Sequence, residues 1–421
     1  MTLAIWNEDT SDPIAENPLM GDLLGKLAKG INRITTLVAV NPPGVVVRAL
    51  NSPAQKLDYL SIQIADSGEI PSIFCGEMPN LEILSISNPS GWRVAEFRHL
   101  HTVHISATSW GPWRLSTLLD CLDGTVALEE LHLACFEDFE LEPAVDAERT
   151  VVISSLLVLR LTYCNSSLIL NHLDVPRSTA LSIYSYCQDS DEIFTCLPES
   201  PRFLGMPEKI QLLTVILDVE KQVFEIEIIG PEDVHILLGA LPRMGRFERK
   251  WVLRAMTVVA RFAPASGVRW LTMVIDEYRM PWKVWLARFT QVSTLEVRCP
   301  DPEELLKALV VSDRNTGDIV CPSLRSLSLE RSRRPTVDTS VLRDFLAARA
   351  STGNAISQLN LNDLDWSVVT GSELEAWEEL INRTRLDGRL DPSGFIVRSL
   401  TKHTTVTIGS FARREGLLIS P

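Results

Sequence analysis

Basic residues are in the minority in this sequence. Its 421 residues include 40 lysines and arginines but 54 aspartates and glutamates, which gives a formal net charge of −14 at pH 7. Proteins that bind the phosphate backbone of nucleic acids, or the anionic surface of a membrane, carry an excess of positive charge instead. The composition therefore predicts neither a nucleic-acid partner nor a membrane partner.

Long apolar runs are also missing. No run approaches the ~20 apolar residues that a membrane-spanning helix needs. The apolar start of the chain, Met1–Trp6, is shorter than the core of a signal peptide, and acidic residues follow it. We therefore expect a cytoplasmic or nuclear protein.

Motifs for metals, cofactors and catalysis are absent as well. The eight cysteines form no C-x-x-C pair, and the seven histidines complete no zinc pattern with them. His99, His101 and His104 lie too close together on a predicted strand to imitate the helical H-E-x-x-H motif. Neither G-x-G-x-x-G nor G-x-S-x-G occurs. We expect free thiols, no bound metal or cofactor, no catalytic residues and no enzymatic activity.

The sequence does contain a recurring L-x-x-L-x-L pattern. Its fourth position is occupied by Leu60, Leu84, Val103, Leu131, Leu159, Ile183, Val215, Leu271, Leu295, Leu327 and Leu359. The steps between them are 19 to 32 residues, except for one of 56 that leaves room for a further unit near Val223–Ile228. Alternation of the fourth and sixth positions indicates a strand, and the period is close to that of leucine-rich repeats.

Helix signals lie between the predicted strands. Asp301 precedes Pro302 and two glutamates, the order typical of a helix cap, a first-turn proline and acids near the positive end. Asp338, Arg114–Leu122 and Arg246–Phe262 mark further helices. Repeated strand–helix units with parallel strands wind in one right-handed sense and bury themselves against their neighbours. The predicted fold is therefore α/β: a leucine-rich-repeat solenoid, a right-handed strand–helix superhelix with a curved parallel sheet on its concave face.

The regularity of the pattern varies along the chain. We expect an N-terminal cap or helical segment over 1–50, leucine-rich repeats over 51–197, an irregular part of the same solenoid over 198–290, repeats and a C-terminal helix over 291–390, and a tail over 391–421. Within the irregular part, Val223–Ile229 has the composition of an inserted hairpin arm.

More specific phrases accompany the repeat. They include Pro79–Leu84, Cys321–Leu327, and Cys164 at the ninth position after Leu156. On these residues the sequence resembles the leucine-rich-repeat part of F-box proteins from mushroom-forming fungi, over about residues 50–390. The resemblance implies that the repeats hold a substrate while an F-box binds the adaptor of a cullin-type ubiquitin ligase. No recognisable F-box occurs in the first 50 residues, since no helix there opens with a Leu-Pro pair.

One face of the predicted sheet is the candidate recognition surface. Strand residues alternate between faces and neighbouring strands lie ~4.8 Å apart, so equivalent positions form columns. The candidate protein-binding residues are Tyr59, Ser61, Ser85, Thr102, His104, Glu130, His132, Arg160 and Tyr184. If His104 and His132 face a partner, the affinity is expected to change between about pH 5.5 and 7.5.

The leading functional hypothesis is a non-catalytic protein-interaction scaffold. A long sheet offers a broad surface, and the sequence reveals no nucleophile, base and oxyanion set. The resemblance narrows the hypothesis to substrate recognition for ubiquitin ligation, with protein partners that include the cullin-ligase adaptor, and we expect the chain to be a monomer. Two alternatives remain open: an enzyme whose site lies on loops in 198–290, and a degenerate fragment without independent function.

Overall fold

The structure of the protein is a computed structural model. It describes residues 2–6, 25–26, 29–42, 46, 50, 52–63, 74, 77–87, 99–106, 115–123, 125–134, 149–176, 178–187, 211–218, 223–230, 235–242, 249–262, 267–275, 278–310, 319–331 and 338–362. The predicted tail and C-terminal helix lie outside the described residues, as does most of the predicted N-terminal cap.

The chain divides into two compact units, which span 1–274 and 275–421. The division falls inside the stretch that we predicted as an irregular part of one solenoid, 198–290. Each unit is an α/β arrangement in which the strands are mostly parallel. In the described segments no helix is both long enough and apolar enough to cross a bilayer.

The first unit is dominated by one large sheet. Its strands are β1 (Thr2–Trp6), β2 (Thr36–Val40), β3 (Tyr59–Gln63), β4 (Ile83–Ser87), β5 (Thr102–Ser106), β6 (Glu130–Ala134), β8 (Val158–Thr162), β10 (Ala180–Cys187), β11 (Leu212–Asp218), β12 (Val223–Ile229), β13 (His235–Pro242) and β14 (Trp270–Ile275), in the spatial order β1-β2-β3-β4-β5-β6-β8-β10-β13-β12-β11-β14. Two short strands, β7 (Val151–Val152) and β9 (Leu173–Asp174), pair separately.

The predicted repeat positions are the core of this sheet. From β2 to β10 each strand pairs in parallel with the next, and the register sets Leu60 beside Leu84, Leu84 beside Val103 and Leu131 beside Leu159. These fourth-position side chains are fully buried, whereas the residues on either side of each are half-buried. The two-residue alternation read from the sequence is confirmed.

A turn of one kind leads into several of these strands. The first leucine of the pattern is buried in the units that begin with Leu57, Leu81, Leu128 and Leu156. In each of them its N–H donates a hydrogen bond of 3.1 to 3.4 Å to the carbonyl three residues earlier. The repeat is therefore structural and extends beyond the strand itself. Cys164 is buried, and its Sγ lies 3.3 Å from the carbonyl of Leu133 on a neighbouring strand.

The irregular part contains antiparallel strands. β12 runs antiparallel to both of its neighbours, β11 and β13, while β13 runs parallel to β10. The inserted hairpin predicted from Val223–Ile229 is confirmed. The further parallel repeat that we placed near Val223–Ile228 is wrong, because alternation of apolar residues marks a strand without fixing its direction.

Helices of the first unit are α1 (Leu115–Leu122), α2 (Ser166–Asn171) and α3 (Arg249–Phe262), preceded by a short 3-10 helix, Ile31–Arg33. The apolar residues of α1, Leu115, Leu118, Leu119 and Leu122, are all buried. Two predicted helices are thus confirmed over their described residues.

The second unit repeats the strand–helix alternation. Its parallel strands are β15 (Thr294–Cys299), β16 (Ser326–Arg331) and β17 (Gln358–Asn362), and its helices are α4 (Trp282–Leu286), α5 (Pro302–Val310) and α6 (Thr339–Ser351). The predicted caps are confirmed. The Asp301 carboxylate accepts a hydrogen bond from the N–H of Glu304 at 3.3 Å, and that of Asp338 from the N–H of Ser340 at 2.9 Å.

These observations show an α/β protein with a large, mostly parallel sheet. Over the described strands the sheet is neither curled nor closed, so the curvature that we predicted is not seen there. The assignment to leucine-rich repeats remains a prediction at this point.

Candidate functional site

Half-buried side chains of β3, β4, β5, β6, β8 and β10 lie opposite the buried core positions. We call this surface the polar face. All nine predicted recognition residues belong to it. The register places Ser61, Ser85, His104, His132 and Arg160 in one column, with Tyr59, Thr102 and Glu130 in a second and Tyr184 in a third. The predicted columns are confirmed, whereas their role in binding stays a prediction.

A histidine pair lies in the middle of the polar face. His104 on β5 and His132 on β6 are direct register partners. Their rings stack with centroids 4.0 Å apart and planes only 7° from parallel. Adjacent strands lie only ~4.8 Å apart, so two rings at paired positions lie against each other and stack face to face. Within the described part of the chain, the shielded Nε2 of His132 has no hydrogen-bond partner.

Glu130 completes a three-residue cluster with this pair. It lies two residues before His132 on β6, so both side chains leave the strand on the same face. One carboxylate oxygen of Glu130 is 3.9 Å from Nε2 of His132. The ligand atoms of His104, Glu130 and His132 all lie within 4.8 Å of one another. The repeat period predicted this juxtaposition, because the 28 residues between the two histidines are one step of the pattern.

The environment of His132 keeps its ring neutral. Burial, followed by the charges of His104 and Arg160, lowers the pKa of His132 to about 3. Each of these disfavours the imidazolium form, burial by removing water and the neighbours by repulsion. His132 therefore stays neutral between pH 5.5 and 7.5, and the pH-dependent affinity that we expected cannot come from this residue.

Tyr184 connects the polar face to the antiparallel strands. Its hydroxyl donates a hydrogen bond to the carboxylate of Glu225 on β12 at 3.0 Å. Burial and the neighbouring Glu225 charge raise the pKa of the tyrosine, so the phenol stays protonated. The ring lies over Gly239 on β13, where any Cβ would overlap it. Gly239 thus allows the tyrosine to reach across one strand to its acceptor.

Glu227 is a second acidic residue on β12, and it is paired. Its carboxylate lies 2.9 Å from Nε2 of His235, and this hydrogen bond is the main reason that the pKa of Glu227 is lowered. Our sequence-based site omitted Glu225, Glu227 and His235 because it stopped at the last parallel repeat. The alternation of glutamates with Phe224, Ile226 and Ile228 was a usable signal.

Comparison with known proteins gave no match: no family model fits the sequence, and neither a curated protein nor a solved structure is similar to it at the threshold of significance. The function is therefore inferred from the geometry of the site.

Proposed function

We propose that this protein is a non-catalytic interaction scaffold of the leucine-rich-repeat type, whose polar face holds a protein partner. The observation that carries the proposal is an in-register column of half-buried polar side chains over six strands, formed by Ser61, Ser85, His104, His132, Arg160 and Ser182. A face of this kind offers many hydrogen-bonding groups over a broad area, as protein interfaces require.

Charge indicates the kind of partner. The carboxylates of Glu130 and Glu225 lie on or beside the polar face, where Arg160 is the one cation among the predicted recognition residues. The chain as a whole carries a net charge of −14. A partner with a basic contact surface is therefore favoured, since opposite potentials steer association and suppress wrong partners.

The family resemblance narrows the proposal to substrate recognition of the F-box, ubiquitin-ligase type. Support for the repeat assignment comes from the turn that recurs before several strands and from Cys164, whose thiol lies against the carbonyl of Leu133 on the neighbouring strand. In this proposal the polar face binds the substrate, and the cullin-ligase adaptor binds elsewhere on the protein.

Two measurements test this function. In the first, the full chain is used to recover partners, and the wild type is compared with Glu225→Lys and with Glu82→Lys, an exposed glutamate outside the polar face. A partner that binds the face is retained by Glu82→Lys and lost by Glu225→Lys. Equal recovery by all three proteins would contradict a role for the face.

The second measurement is a pull-down with purified cullin-ligase adaptor. Retention of the adaptor supports the ligase proposal. Failure to retain it, together with a partner that is lost only from Glu225→Lys, would leave an interaction scaffold and reject the F-box assignment.

A further inference from the structure

The cluster of His104, Glu130 and His132 has the composition of a metal centre. Two imidazoles and one carboxylate supply three donor atoms within 4.8 Å of one another, from two adjacent strands. We propose that these three side chains bind a transition-metal dication, with Zn²⁺ as the ion that suits them best. Nitrogen and carboxylate ligands are those of zinc sites, and three protein ligands leave the fourth position for water.

The backbone holds the three donors in place. His104 and His132 are fixed by direct register pairing of β5 and β6, and Glu130 by its position two residues before His132. All three side chains are half-buried, so their movement is restricted while an ion can still enter from solvent. A metal site built on neighbouring strands is more firmly placed than one on loops.

Binding requires one change in the cluster. In two stacked rings the nitrogen lone pairs lie in parallel planes and do not converge on one point. A metal ion binds in the plane of each imidazole that ligates it. One ring therefore turns about its Cβ–Cγ bond, a torsion that is broad for histidine.

The charges beside the cluster predict that two substitutions change the metal affinity in opposite directions. Arg160 is the register partner of His132 on β8, and its guanidinium repels a cation in the cluster. Replacing it by glutamine should therefore strengthen metal binding, whereas Glu130→Gln should weaken it. Adventitious binding elsewhere on the chain would respond to neither substitution.

The test is a calorimetric titration of the full chain, stripped with a chelator, with Zn²⁺ alone. We expect one site whose affinity falls more than about 100-fold in His132→Asn, since loss of a ligand exceeds the 10–100-fold typical of outer-shell changes. His101→Asn is the matched control, because His101 is half exposed and outside the cluster. Circular dichroism establishes that each variant is folded.

Cobalt distinguishes this site from cysteine sites. The absorption of the Co²⁺-loaded chain should lack the intense near-ultraviolet bands of thiolate ligands and should lose its visible bands in His132→Asn. The proposal is overturned if no Zn²⁺ binds, if thiolate bands dominate, or if His104→Asn and His132→Asn bind Zn²⁺ like the wild type. An unchanged affinity in both Arg160→Gln and Glu130→Gln would overturn it equally, whatever the stability of the histidine variants.

Discussion

Replacing Arg349 by methionine is expected to destabilise the second unit. Arg349 lies on α6 and is completely shielded from solvent. Its guanidinium donates to the carbonyls of Cys321 at 2.9 Å, Asn354 at 3.0 Å and Val320 at 3.1 Å. The side chain thus connects α6 to the segment before β16 and to the turn that follows the helix.

The magnitude follows from the acceptors that lose their donor. A buried polar group without its partner costs about 1–3 kcal/mol. The carbonyl of Cys321 keeps a second hydrogen bond, from the N–H of Leu324 at 3.1 Å, and a fourth acceptor, the carbonyl of Leu309, is only distantly bonded at 3.5 Å. The carbonyls of Val320 and Asn354 therefore suffer the full loss. Methionine also removes a buried cation, whose desolvation lowers the pKa of Arg349 to about 10 and offsets part of the cost. We expect a net loss of about 3 kcal/mol in the free energy of unfolding.

The assay is equilibrium denaturation of the full chain with urea, combined with hydrogen exchange of peptides from 302–331. Arg343→Met is the matched control, since Arg343 lies on the same helix with its side chain 56% exposed, and it should change stability by no more than about 0.5 kcal/mol. If Arg349→Met unfolds at the same urea concentration as Arg343→Met, with unchanged exchange, the buried guanidinium does not hold these segments together.

Two further predictions concern the first unit. Unfolded His132 has the ordinary pKa of 6.5 and folded His132 a pKa of about 3, so its contribution to stability is complete above pH 6.5 and is lost as the pH falls towards 3. Chelator-treated wild type should lose about 2 kcal/mol more than His132→Gln between pH 7.5 and 5, as measured by urea denaturation at each pH; parallel pH profiles would refute this. Gly239→Ala should lower the melting temperature, because the added Cβ overlaps the Tyr184 ring and the ring must move. In a Tyr184→Ala background the same substitution should have no such effect. An equal effect of Gly239→Ala in both backgrounds would refute the contact.

The strands and their core positions could be predicted because one local rule generates them. Leu60, Leu84, Leu131 and Leu159 repeat at similar distances along the chain, and a side chain that points into the core in one unit does so in the next. The columns of the polar face follow from the same rule. Once parallel strands pair in register, a position in one strand determines its neighbour in the next.

The features that the sequence left open or hid depend on strand direction or on distant contacts. The sequence of β12 predicted both a further parallel repeat and a hairpin arm, and only its short connection to β11 favours the hairpin that the structure shows. Arg349 could not be identified as buried, because its acceptors are backbone carbonyls up to 40 residues away. Every residue has such a carbonyl, so the sequence does not indicate which of them accept. An arginine near the end of a helix is usually exposed.

In-register pairing also explains why the unusual chemistry of this protein lies in one column. Parallel repeats place equivalent side chains next to each other, so His104, His132 and Arg160 are forced into adjacency on consecutive strands. Three cations at that spacing would repel one another, and the column is tolerated because His132 is neutral. A neutral imidazole beside a carboxylate is at the same time a competent metal ligand. The in-register neighbour Arg160 therefore opposes a metal at this position, whereas the carboxylate of Glu130 favours one.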